Sequence, residues 1–247
     1  MKYLRQLLPV IAVLIPALSV AASDKIWKQL ITSHGKERAY YLFVPDKLKG
    51  PAPLLITLHG SGRNGLSLVE KWKDLASREG FIVVGPDATN TQGWAIPGDG
   101  PDFIHDLVEE LKAKYSVNPR RVYLFGHSAG AVFALYMSMY ESKYFAATAI
   151  HAGAWRDPQD FSLISDAKRK IPLSIVVGDS DKFFPLQDVK STSDKLKESG
   201  FNVELTIMKG HDHWYYDLAS KINEPLWTFL KKYELTDDPA YEQYNFK

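Results

Sequence analysis

Residues 121–140 read RVYLFGHSAGAVFALYMSMY, and this stretch decides the fold. Arg121 to Gly126 is an aliphatic and aromatic run of the kind that forms a strand buried on both faces. Ala129 to Tyr140 is apolar nearly all round, which suits a helix sunk in a core. Between them stands Gly126-His127-Ser128-Ala129-Gly130, the pattern G-x-S-x-G at a strand-to-helix junction. A serine on so tight a corner sits in a strained backbone region, so the side chains two before and two after must be tiny. Glycine at 126 and 130 lets strand and helix approach each other. The Ser128 hydroxyl then projects above the sheet at a helix N-terminus, where the Ala129 N–H is free to hold a negatively charged oxygen.

Outward from this corner the same alternation repeats. Arg38–Val44 is aromatic and β-branched and reads as a strand ended by Pro45. Pro53–His59, Phe81–Gly85, Ala146–Ile150 and Leu173–Gly178 are continuous apolar runs, and Val203–Met208 reads as a further strand. Ser67–Arg78 and Phe103–Tyr115 carry apolar residues at the helical period, and Leu186–Ser199 and Leu218–Tyr233 read as helices too. Alternating strands and helices imply an α/β chain: a mostly parallel, doubly wound sheet with helices on both faces. With the serine corner, that is the α/β-hydrolase fold. The tail from Glu234 to Lys247 has no clear periodicity and reads as loosely ordered.

In this fold the serine is followed in chain order by an acid and then a histidine. The acid falls in Gly178-Asp179-Ser180-Asp181, just past a strand end, where Asp181 and Asp179 compete. The histidine falls in Lys209-Gly210-His211-Asp212-His213-Trp214, where His213 and His211 compete. Imidazole changes charge near neutral pH, which suits a base that returns its proton as an acid. Leu58-His59-Gly60-Ser61 ends another strand, and the Ser61 N–H is the second candidate oxyanion donor beside that of Ala129. His59 itself reads as a hydrogen-bonding residue that shapes this loop. Trp94, Trp155, Phe183, Phe184, Trp214 and Tyr215 lie in or near loops after strands, and about half of them are expected to line a pocket.

Composition sets the bounds. At 247 residues with a formal net charge of +1, the chain gives no electrostatic case for nucleic acid or an anionic membrane as partner. The absence of cysteine excludes disulfides, thiolate metal sites and a cysteine nucleophile. His211, Asp212 and His213 stand beside no further ligand cluster, so no metal site is assigned and no cofactor is called for. Residues 1–22 have a basic start at Lys2 and Arg5, an apolar run from Leu7 to Val20 and small residues at Ser19, Ala21 and Ala22. This is the layout of a secretory signal peptide, with residues 23–247 as one catalytic domain and no stable membrane span in the mature chain. The expected location is therefore secreted or periplasmic.

The set LHGSG, GPDA, GPDFIHDLVEEL, VNPRRVYLFGHSAGA and GDSDKFFP resembles the polyhydroxybutyrate depolymerase and feruloyl esterase group of secreted α/β-hydrolases, from about Tyr40 to Tyr216. The resemblance implies a serine esterase working through an acyl-enzyme. The group's acid loop, G-x-x-D with proline four residues on, implies Asp181 as the acid, ahead of Pro185. The segment GHDHWYY is similar to the histidine loop of S-formylglutathione hydrolases, which implies His213, while feruloyl esterases with the base directly after glycine would imply His211. Cysteine often stands in the group where this chain has Ser61, and no substrate-binding domain is expected beside the catalytic part. A small soluble ester, or an acetyl or feruloyl group linked to polysaccharide, is therefore expected as substrate ahead of an insoluble polyester. A peptidase or a dienelactone-type hydrolase could use the same triad, and a non-catalytic binding module could keep the same fold.

Overall fold

The computed structural model describes residues 25–242, and the segment read as a signal peptide lies outside them. Eight strands form one sheet in the order β1-β2-β4-β3-β5-β6-β7-β8. They are β1 (Trp27–Ser33), β2 (Lys36–Phe43), β3 (Ala52–Leu58), β4 (Ile82–Pro86), β5 (Val117–His127), β6 (Ala147–His151), β7 (Leu173–Gly178) and β8 (Val203–Met208). Only β1–β2 and β2–β4 pair antiparallel, and every pairing from β4 across to β8 is parallel. The helices are α1 (Leu66–Glu79), α2 (Asp102–Lys114), α3 (Ala129–Tyr140), the short α4 (Pro158–Ser162), α5 (Leu186–Glu198) and α6 (Ala219–Leu230).

Successive side chains on a strand point to opposite faces, so a strand buried on both faces feeds two cores. In β5, Val122 and Leu124 pack with α2, α3 and α5, whereas Tyr123 and Phe125 pack with α1 and α6. The sheet is thus covered on both sides, as the alternating pattern implied. Trp72 of α1 is fully buried and lies edge-on to Phe125, with ring centroids 5.0 Å apart.

Three features differ from the sequence reading. Strand β1 carries no apolar run: only Ile31 and Ser33 are buried in it, and it is held by the antiparallel ladder to β2. Strand β5 begins at Val117, four residues before the apolar run, because Ala52 pairs with Val117 beyond an irregularity in the register. The tail past Glu234 is anchored at two points: Leu235 is buried and donates its N–H to Arg120 O, and the Tyr241 ring stacks on His105 at 3.9 Å.

The parallel strands all point their C-terminal ends one way, and ligands in such sheets bind beyond those ends. The segments after β3, β5, β7 and β8 carry Ser61, Ser128, Asp181 and His213 respectively. Backbone segments meet without room for a side chain at the β5–α3 corner. A Cβ at Gly130 would lie 1.9 Å from Leu58 O, and one at Gly126 would lie 2.2 Å from Gly130 O. Both obstacles are backbone, which cannot rotate away. Gly130→Ala is expected to cost about 3 kcal/mol in urea unfolding, at the upper end for overpacking. A variant within roughly 0.5 kcal/mol of the wild type would contradict this account of the corner.

Candidate active site

Ser128 has φ 57° and ψ −119°, a positive φ that a side chain rarely adopts. The strained backbone is fixed from both sides. Its N–H donates to His151 O at 3.1 Å, and its carbonyl accepts from the N–H groups of Ala131 and Val132 in the first turn of α3. The hydroxyl is thereby aimed out of the corner, into a recess of about 230 Å³ lined by Ser61, Arg63, Phe183, His213, Trp214 and Tyr216 among others.

His213 bridges serine and acid. Its Nε2 is 2.9 Å from Ser128 Oγ, and its Nδ1 is 2.8 Å from Asp181 Oδ2. The other carboxylate oxygen of Asp181 accepts from the backbone N–H groups of Phe183 and Phe184, at 2.8 and 2.9 Å. Burial alone would raise the Asp181 pKa, but the hydrogen bonds from His213 and the two backbone N–H groups prevail and hold it below the usual carboxylate range. At neutral pH the acid is a buried carboxylate with its acceptors occupied. An Nδ1–H donated to it leaves Nε2 as the acceptor facing the serine.

The competing residues sit elsewhere. Asp179 accepts from the Gly210 N–H at 2.7 Å, tying the loop after β7 to the loop after β8. His211 turns inward: its Nε2 is 3.0 Å from His151 Nε2, and His151 Nδ1 is 3.0 Å from His127 Nδ1. These three rings form a buried row directly beneath His213, which lies 5.1 Å from the His127 ring between centroids. The sequence reading missed this row, since its members come from three separate segments.

The two expected oxyanion donors, Ser61 and Ala129, both sit by Ser128, the first lining the same recess and the second next to it in the chain. Ala129 opens α3, so its N–H belongs to the first helical turn, whose donors have no partner within the helix. The Ser61 N–H has no backbone acceptor among the described residues. The intervening loop passes so close that a Cβ on Gly60 would lie 3.1 Å from Ser128 Cβ. His59 shapes this loop. Its Nε2 accepts from the Ala88 N–H at 3.1 Å, which leaves Nδ1 to donate to Gly60 O at 2.9 Å. The Trp94 indole N–H donates to His59 O at 2.8 Å, and its ring stacks on Phe133 beside a neighbouring groove. Of the other aromatics singled out from sequence, Phe183 and Trp214 line the recess and are 68% and 44% exposed. The Phe184 ring stacks on His213 at 5.8 Å, whereas Trp155 and Tyr215 are core residues.

Burial, and next the charge His213 would carry, pushes the His127 pKa down to about 3. Burial and the neighbouring imidazoles hold His151 well below the ordinary value. A histidine whose pKa falls on folding binds its proton more readily in the unfolded chain. Its neutral form carries no penalty above pH about 6.5, and stability is lost as pH drops below that, by up to ~1.4 kcal/mol per pH unit for each ring. Burial raises the Glu141 pKa to about 8, a contribution of opposite sign that both proteins share, so urea unfolding between pH 6.5 and 5 should show a steeper loss in the wild type than in His151→Gln. Equal slopes would contradict a buried neutral His151.

With the geometry described, the chain can be set against known proteins. A family model described as phospholipase/carboxylesterase matches residues 99–226. The bifunctional acetylxylan esterase/xylanase of Neocallimastix patriciarum is 31% identical over 160 residues, covering 63% of this chain and 23% of that protein. Poly(3-hydroxyalkanoate) depolymerase C of Paucimonas lemoignei is 32% identical over 123 residues, covering 44% of this chain and 30% of that protein. The chain thus spans less than a third of the length of these two relatives. A solved structure of a ferulic acid esterase superposes with a TM-score of 0.67 at 18% identity, over 84% of this chain and 97% of that one, which shows a shared fold.

Proposed function

The chain belongs to the phospholipase/carboxylesterase family, and on that premise we propose that it is an exported serine esterase that hydrolyses carboxylic esters through an acyl-enzyme. The observation that supports this reading most is the unbroken hydrogen-bonded row from Ser128 Oγ through His213 to Asp181. In it Ser128 is the nucleophile, His213 the general base and then acid, and Asp181 the residue that orients the ring and stabilises its charged form.

The steps follow from the geometry. As His213 Nε2 takes the Ser128 proton, the hydroxyl oxygen attacks the ester carbonyl carbon. Negative charge develops on the carbonyl oxygen and is held by the N–H groups of Ser61 and Ala129. Collapse of the tetrahedral species breaks the bond to the alcohol, which leaves with the proton from His213. Water then repeats the sequence on the acyl-serine: His213 accepts its proton, the carboxylic acid departs, and Ser128 is regenerated.

The acyl and alcohol groups proposed are small or polysaccharide-linked, of the acetyl, feruloyl or hydroxyalkanoate type. The activities of the two relatives and a recess of about 230 Å³ beside Ser128 support this class. Export is inferred from residues 1–22, and among the described residues no helix is long and apolar enough to cross a membrane.

Hydrolysis of 4-nitrophenyl acetate tests the assignment. Ser128→Ala should lower kcat by at least about 10⁴-fold with its circular dichroism spectrum unchanged. His213→Gln should cost on the order of 10³-fold or more, and His211→Gln, once shown to be folded, less than about tenfold. Collapse of activity in the folded His211 variant with activity retained in the His213 variant would reverse the roles of the two histidines.

A further inference from the structure

Arg63 lines the same recess as Ser128 and has no part in the steps above. Its backbone N–H donates to Gly60 O at 3.2 Å, closing the turn that also presents Ser61. That turn carries the side chain over the recess. The guanidinium lies 5.1 Å from the Trp214 ring centroid and 4.8 Å from that of Tyr216. Among the described residues lining the recess, Arg63 alone carries a permanent charge. Arg38, Arg78 and Arg156 are paired with Asp99, Glu224 and Asp188, while Arg169 and Arg121 donate to backbone carbonyls. Among the described residues Arg63 has no carboxylate partner, and no carboxylate lines the recess.

A guanidinium held against aromatic faces keeps its planar fork of N–H donors available at the edge, in the geometry that matches a carboxylate with two parallel hydrogen bonds. Both rings belong to the loop after β8 that also bears His213, the residue that delivers a proton to the departing alcohol. That shared loop sets the cation with the alcohol half of the cleft. Resting on the esterase reading above, we infer that Arg63 is a specificity-determining residue and that the preferred substrates carry a carboxylate on the alcohol portion, close to the ester oxygen. Two sources supply that chemistry: the free acid end of a hydroxyacid oligomer, and a uronic acid residue of an acidic glycan that bears an acyl group.

Two matched pairs of esters distinguish the sources. One is 3-acetoxybutyric acid against its primary amide, and the other is an O-acetylated galacturonic acid against the same acetate of galactose. Acetate release by the wild type should favour the acid over the neutral member by about tenfold in kcat/KM in at least one pair, and that pair identifies the source. Arg63→Gln should abolish the preference and leave the neutral member within about twofold. Arg63→Lys, which keeps the charge but loses the fork, should retain part of it. Binding of the same esters to Ser128→Ala, measured by calorimetry with Arg63 present and with Arg63→Gln added, reads the carboxylate preference without turnover. Absence of turnover with all four esters would strike the esterase reading, while the binding arm would still decide on Arg63. The inference is overturned if wild type and Ser128→Ala show no preference for either acid, or if Arg63→Gln weakens acid and neutral members alike.

Discussion

The structure depends on one strained residue. Ser128 is held at φ 57° and ψ −119°, a conformation that costs on the order of 1–3 kcal/mol and persists only where its surroundings over-determine it. Here they do. Strand β5 is paired on both sides in the middle of the sheet, so the chain entering the corner cannot shift. Helix α3 is buried along most of its length, so the chain leaving the corner cannot shift either. Gly126 and Gly130 permit a contact at which any Cβ would collide with backbone. The core fixes the corner, and the corner aims the hydroxyl.

Around that point the other loops are tied to one another rather than to the serine alone. Asp179 joins the loop after β7 to the loop after β8, so that the carboxylate of Asp181 and the ring of His213 share one frame. Two backbone N–H groups hold the far oxygen of Asp181, which fixes the face it offers to the ring. Beneath lie three imidazoles whose burial resists protonation in at least two of them, His127 and His151. A positive charge on His213 would meet the carboxylate of Asp181 and, among the described residues beneath, the neutral rings of His127 and His151. Arg63 adds a fixed cation to the lining of the recess.

Much of this was legible in the sequence, for physical reasons. Strands buried on both faces announce themselves as unbroken apolar runs, and the steric demand of the corner leaves a five-residue signature. The loops that bear Asp181 and His213 follow directly from strand ends. What the sequence concealed depends on contacts between distant segments. Strand β1 is half exposed and owes its existence to the β2 ladder. The five-residue α4 buries none of its residues, and so leaves no apolar stripe to read. The choice between His211 and His213 turns on which way a loop faces, and the ring of His211 is taken by His151, 60 residues away in the chain. Arg63 drew no notice because its surroundings, Trp214 and Tyr216, meet it only through the fold.

The central claim is that the hydroxyl at position 128 is uniquely activated by its corner and its imidazole partner. Treatment of the folded protein with a fluorophosphonate, followed by digestion and mass spectrometry, tests this without assuming any substrate. The account predicts one label per chain, on the peptide that contains Gly126 to Gly130 and localised to Ser128. Labelling at another serine, or a folded protein that takes up no label, would contradict it.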